Sequence, residues 1–86
     1  MPKVLTIGRT TVSADQREAF LARVAARKAH YSAHDVRYWV FEEASLPGAF
    51  VEFCEANDAA TLSKAHAATT DAPSGALRHY VEVGVR

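Results

Sequence analysis

Polar and apolar positions alternate along "KVLTIGRTTV", residues 3–12, with Val4, Thr6 and Gly8 on one side and Leu5, Ile7 and Arg9 on the other. A period of two predicts a first β-strand. Ser13 then opens "SADQ", a spacing in which the Ser hydroxyl accepts from the third helical N–H while Gln16 reaches back to the Ser amide. The helix this starts is predicted to run to about Tyr31. At about 100° per residue, Phe20, Leu21, Val24 and Tyr31 fall within an arc of roughly 100°, the width of a buried stripe, with Arg17 and Lys28 inside or beside it. "HYSAHD" (30–35) reads as a loop, and "VRYWVFEE" (36–43) is rich in β-branched and aromatic residues, hence a second strand. "ASLPG" turns the chain, with Pro47-Gly48 suited to the centre of a type II turn, into a third strand at 49–55 that pairs as a hairpin. Asn57 or Asp58 caps a second helix, which ends before "DAPSG", where Pro73 stops continuation. The last run, "ALRHYVEVGVR", alternates again, with Leu77, His79, Val81, Val83 and Val85 on one face. The order β-α-β-β-α-β predicts a ferredoxin-like α+β fold, one domain over 1–86, with two helices on one face of a four-stranded antiparallel sheet.

In a sheet with one wet face, the middle strands should be apolar on one side only. They are apolar on both: Val36, Tyr38 and Val40 oppose Trp39 and Phe41, and Phe50 and Cys54 oppose Val51 and Phe53. The helices can cover one face, and no residues are left over to cover the other. A second copy of the chain would do so, giving a homodimer with two sheets packed face to face. Size argues the same way, because an 86-residue domain buries too little surface to be generously stable alone. Cys54 is the single cysteine, so no disulfide forms within the chain. That lone thiol, with a start "MPKVLTIG" lacking a long apolar run, points to a cytoplasmic protein without a membrane span. Ten basic and ten acidic residues are interspersed to a net charge of zero. Without a basic stripe, nucleic acid is not the expected partner.

The stretch "FVEFCEANDAATLSKAHAATT" (50–70), a strand of aromatic and acidic residues, a polar cap and an alanine-rich helix ending in Ala65-His66, resembles the antibiotic biosynthesis monooxygenase-like family of the dimeric α+β barrel superfamily. The "VFEEASLPGAF" hairpin is similar in style. The resemblance implies a homodimeric barrel with a small cavity between sheet and helices in each subunit. It also implies an oxidoreductase, a cofactor-independent monooxygenase acting on a small aromatic or quinone-like substrate that itself activates oxygen. Some relatives instead degrade haem with an Asn on the first strand, a Trp after the third and a His in the second helix as iron ligand. Of these only the His is matched, by His66, since the first strand lacks Asn and Trp39 lies on the second. Haem is therefore not the expected cofactor, and none other is implied.

His66 lies about 40° from Leu62 on the second helix, at the border of its apolar face. An imidazole there can act as general base toward a cavity, or hold the fold by bonding a carbonyl or the partner chain. Trp39, Tyr38 and Tyr80 are candidates to wall an aromatic pocket with Phe20, Val24 and Leu62, or to serve as core and interface. Since Tyr38 and Trp39 alternate, one at most faces the helices. Arg17 could hold an anionic group or simply cover the edge of the core. His30 and His34 have helical ligand spacing but lack an acidic third ligand, so no metal site is expected. Cys54 reads as a small hydrophobe, and Glu52, on its face, needs a partner such as Arg37 or water. The alternative to an enzyme is a non-catalytic dimeric protein, ligand-binding or stress-related, that uses the same cavity.

Overall fold

The structure, a computed structural model, describes residues 2–76 and 78–84. The elements are β1 (Val4–Thr11), α1 (Arg17–Ala33) entered through a 3₁₀ turn (Ala14–Gln16), β2 (Arg37–Glu42), β3 (Ala49–Ala56), α2 (Ala59–Ala67) and β4 (His79–Val81). The strands form one antiparallel sheet in the order β2-β3-β1-β4, which with two helices is the ferredoxin-like α+β fold the pattern predicts. No helix among the described residues is long and apolar enough to cross a membrane. Leu77 and Val85, placed by the pattern on the last strand, lie outside the described residues.

The hairpin owes its register to Leu46-Pro47-Gly48-Ala49, where the Ala49 amide bonds the Leu46 carbonyl at 3.1 Å and Gly48 takes φ +93°. A type II turn needs positive φ at its third position, which glycine adopts without strain. Asp58 caps α2, its carboxylate accepting from the Thr61 amide at 2.7 Å. The start of α1 differs from the capping box that "SADQ" suggests. The Ser13 hydroxyl donates to the Asp15 carboxylate at 2.7 Å, so the nearer anion takes it and a 3₁₀ turn opens the helix instead. The helix also runs past Tyr31 to Ala33, through four of the six residues of "HYSAHD". It stops where Asp35 adopts φ +60° and the His34 and Val36 amides both return to the Tyr31 carbonyl.

The buried stripe of α1 is Phe20, Arg27 and Tyr31, with Val24 packed beside them, and Leu21 is left 42% exposed. Geometry explains both departures from expectation. At about 100° per residue Arg27 and Tyr31 lie within roughly 20° of Phe20, whereas Leu21 is about 100° away. Tyr31 and Leu62 centre a core that includes Val4, Val36, Tyr38, Cys54, Ala56 and Ala65, with the Tyr31 and Tyr38 rings stacked at 5.5 Å. At 1.5 Å per residue the nine residues of α2 span only about 14 Å, roughly half the length of an eight-residue strand. The far half of the sheet, under the first turns of α1, is left without a second helix. There the loop 71–76 lies close on β1: a Cβ on Gly8 would meet the Ser74 carbonyl at 2.3 Å, so only glycine fits. β4 is three residues long, and Val81 and Val83 are exposed.

The other sheet face carries Leu5, Ile7, Trp39, Phe41, Val51, Phe53 and Tyr80, with no helix among the described residues over it. Trp39 and Phe41 are 42% and 58% exposed, and the Phe41 and Phe53 rings meet edge to face at 5.8 Å.

Candidate functional site

A cleft of about 610 Å³ opens where α2 fails to reach. Its walls are the end of β1 and the segment after it (Thr10 to Ser13), Gln16 of the 3₁₀ turn, α1 at Ala19, Phe20, Arg23 and Arg27, Glu52 of β3, and the loop at Ala72 and Ser74. Phe20 is backed by Phe50, ring centroids 4.6 Å apart, so the wall it offers is rigid and aromatic.

Charge lies at the bottom. Arg27 reaches Glu52 at 2.6 Å, the two side chains only 7% and 2% exposed, and the Tyr38 hydroxyl donates to the same Glu52 oxygen. Arg27 also donates from Nη2 to the Asp71 carboxylate at 3.0 Å and from Nε to the Asp71 carbonyl at 2.8 Å. Arg23 meets Asp71 from the cleft rim at 2.7 Å. Burial works against the Arg27 charge, but the hydrogen bonds to Asp71 and Glu52 outweigh it and hold the guanidinium more firmly protonated than usual. Arg23's hydrogen bond, with Arg27's behind it, keeps the Asp71 carboxyl below the ordinary carboxylate range. Burial, then the bond to Glu52, pushes the Tyr38 hydroxyl up. Glu52 thus finds its partner in Arg27, while Arg37, which the sequence suggested, pairs with Glu55 on the opposite face.

Of the residues the sequence singled out, Phe20 lines this cleft. Tyr38, Val24 and Leu62 pack in the core beside it, Tyr38 touching the cleft only through Glu52. Arg17 stands outside, forked onto Glu42 at 2.7 Å with its guanidinium 5.5 Å from the Phe50 ring, and this pairing draws the Glu42 carboxyl down to about 2. Trp39 and Tyr80 lie on the helix-free face, Tyr80 in a separate hollow with Ile7, Arg9 and Arg78. His30 donates to the Ala65 carbonyl and His34 to the His30 carbonyl, each at under 3 Å. Burial lifts the Cys54 thiol to about 12. Sequence reasoning passed over Arg23, Arg27 and Asp71. The helical spacing Phe20, Val24, Arg27, Tyr31 was a usable signal for Arg27, whereas nothing in the sequence brings Asp71 from its loop to α1.

His66 is joined to β1 and α1 at once: its Nε2 is 3.0 Å from the Thr6 hydroxyl and its Nδ1 2.8 Å from the Tyr31 hydroxyl. In either neutral tautomer one nitrogen donates and the other accepts, with a hydroxyl to complement each, so no lone pair is left for iron or for a substrate proton. Burial, reinforced by the nearby His79 and His30, lowers its pKa. His66→Ala should therefore cost stability, about 2 to 4 kcal/mol for two stranded hydroxyls, within reach of the roughly 2 to 5 kcal/mol of a Leu62→Ala control. The pH dependence has a definite sign. A histidine whose folded pKa lies below its ordinary 6.5 binds its proton more readily when unfolded, so stability is full above that value and falls as pH drops through it. Urea melts from pH 7.5 to 5 should show this slope in the wild type and less of it in His66→Ala. Identical slopes and an unchanged midpoint would rule the structural role out.

No family model and no curated protein matches the sequence. Among solved structures, Rv0793 from Mycobacterium tuberculosis superposes with a TM-score of 0.69 at 20% identity, over 98% of this chain and 96% of that one. SnoaB, a cofactor-independent oxygenase from Streptomyces nogalater, solved as a mutant, superposes with a TM-score of 0.59 at 19% identity, over 98% and 94%. The chain has their fold. That fold, a four-stranded antiparallel sheet with two helices, agrees with the one the resemblance implies for a single chain, and at this identity the likeness transfers the backbone arrangement rather than the role of any residue.

Proposed function

We propose that the chain works as a homodimer that binds a small planar aromatic molecule in the cleft under α1 and oxidises it as a cofactor-independent monooxygenase. The observation that carries this reading is the make-up of the cleft: an aromatic wall, Phe20 on Phe50, in one lining with Thr10, the guanidinium groups of Arg23 and Arg27 and the carboxylate of Glu52. A hydroxylated ring laid on Phe20 would turn its oxygen toward Arg23, the more exposed of the two guanidinium groups, whose charge favours the ionised, electron-rich phenolate or enolate once the Asp71 carboxylate turns away. Such an anion can pass an electron to dioxygen without help, so the protein's share is to bind it, bias its ionisation and keep water from the ring. One methylene carbon and one dioxygen then yield one carbonyl and one water. The fold shared with an oxygenase, SnoaB, supports the reaction class. In this reading Trp39 and Tyr80 serve the interface between copies, while Tyr38, Val24, Leu62 and His66 hold the layer beneath the ligand.

Ligand binding without turnover is the second reading, favoured by one observation. His66 has both nitrogens occupied and the Cys54 thiol is pushed far above neutrality, so neither is poised to take a proton. Anthrone separates the two. Turnover predicts oxygen uptake in a one-to-one ratio with anthraquinone, lost in Phe20→Ala. Shifts at the Ala19 and Phe20 amides without oxygen uptake would leave the binding reading, and no shift there would end both.

A further inference from the structure

Resting on the reading of the cleft as an aromatic-ligand site, we infer that Asp71 is a displaceable internal stand-in for a ligand carboxylate, and that the cleft takes aromatic acids by exchanging them for Asp71 on Arg23 and Arg27. The cleft and its edge hold two cations, Arg23 and Arg27, and two anions, Glu52 and Asp71, so an added anion would be unmatched unless one of the resident carboxylates leaves. They are not equally free to do so. Glu52 is 2% exposed in the centre of β3 and is held by both Arg27 and the Tyr38 hydroxyl. Asp71 belongs to a loop, and its side chain is 40% exposed. Turning it into water breaks three hydrogen bonds, two of them to Arg23, itself 55% exposed and so in the kind of pair that contributes least, and one to Arg27, which keeps its bonds to Glu52 and to the Asp71 carbonyl.

What it would leave behind is specific. Arg27 stays charged and oriented by Glu52, and Arg23 stands one helical turn away with Nε and Nη2 both on the Asp71 carboxylate. A ligand carboxylate has the same planar pair of oxygens, which guanidinium groups bind in fork geometry. The aromatic body attached to it would lie along Phe20, the apolar wall beside Arg23 and Arg27 in the same cleft. The loop need not unfold for this, because Ser74 ties it to the Arg9 carbonyl at 2.9 Å downstream of Asp71.

The test uses 2-naphthoate and its neutral isostere 2-naphthamide, titrated at low salt while the Ala19 and Phe20 amides are followed by NMR. Asp71→Asn removes the competing charge and keeps the backbone carbonyl. It should tighten 2-naphthoate roughly tenfold or more and move 2-naphthamide less than about twofold. Arg23→Gln added to Asp71→Asn should abolish the gain. Asp71→Ser, checked by thermal melt, serves if the Asn variant does not fold. Equal tightening of acid and amide, or an unchanged affinity for the acid, overturns the exchange. If 2-naphthamide still binds at Phe20 in that case, the cleft reading survives. Failure of both probes to bind overturns both.

Discussion

Phe41→Asp is expected to turn a dimer into a folded monomer. Phe41 is the most exposed aromatic on the open sheet face among the described residues, next to Trp39 across Phe53, and none of the described residues covers it. If a second copy does, an aromatic anchor near the centre of such an interface contributes about 2 kcal/mol or more, and a carboxylate buried there without a partner costs several more. Together these raise the dissociation constant by roughly a thousandfold. Sedimentation equilibrium at micromolar concentration should give twice 9.4 kDa for the wild type and 9.4 kDa for the variant. Far-UV circular dichroism should not change, because the helix-side core lies on the other face. A wild type that sediments as a monomer, or a variant that stays dimeric, would remove the proposed assembly.

The second large effect is on the buried ion pair. Arg27→Met leaves Glu52, 2% exposed, with only the Tyr38 hydroxyl, and an uncompensated buried charge costs about 3 to 5 kcal/mol. In a domain of this size that lowers the melting temperature by roughly 15 to 30 °C. Glu52→Leu combined with Arg27→Met should recover most of the loss, since apolar side chains of similar volume often replace a buried pair at no net cost. The cycle of single and double variants isolates the coupling between the two. Additive losses would mean that the pair is not coupled. Recovery of stability without recovery of ligand binding would assign the buried charges to the cleft rather than to the fold.

The site was only partly legible because two kinds of information are needed to read it. Phe20 follows from helical spacing, and so would Arg27, which falls within about 20° of Phe20 once charge is not taken as a mark of exposure. Glu52 was visibly a carboxylate on an apolar face, yet its partner was ambiguous. Arg37 is a near neighbour across the sheet but points to the opposite face, as alternation requires. Asp71 sits in a loop with no periodicity to place it.

What the sequence by itself determined is the order of elements, the antiparallel pairing through the Pro47-Gly48 turn, a cap at Asn57 or Asp58, which the structure places at Asp58, and the two apolar faces of β2 and β3. These are local or periodic properties, decided by φ/ψ preference and by which side of a strand or helix each residue occupies. Only the tertiary structure decided that α2 is too short to cover the sheet, so that a cleft opens under Phe20, and that His66 closes a bridge between Thr6 and Tyr31 instead of facing it. It also decided that Arg23 and Arg27 meet Asp71, 48 and 44 residues further along the chain. Such contacts depend on how helices and loop settle against the sheet, and with that packing undetermined a charge in an apolar stripe has several possible partners.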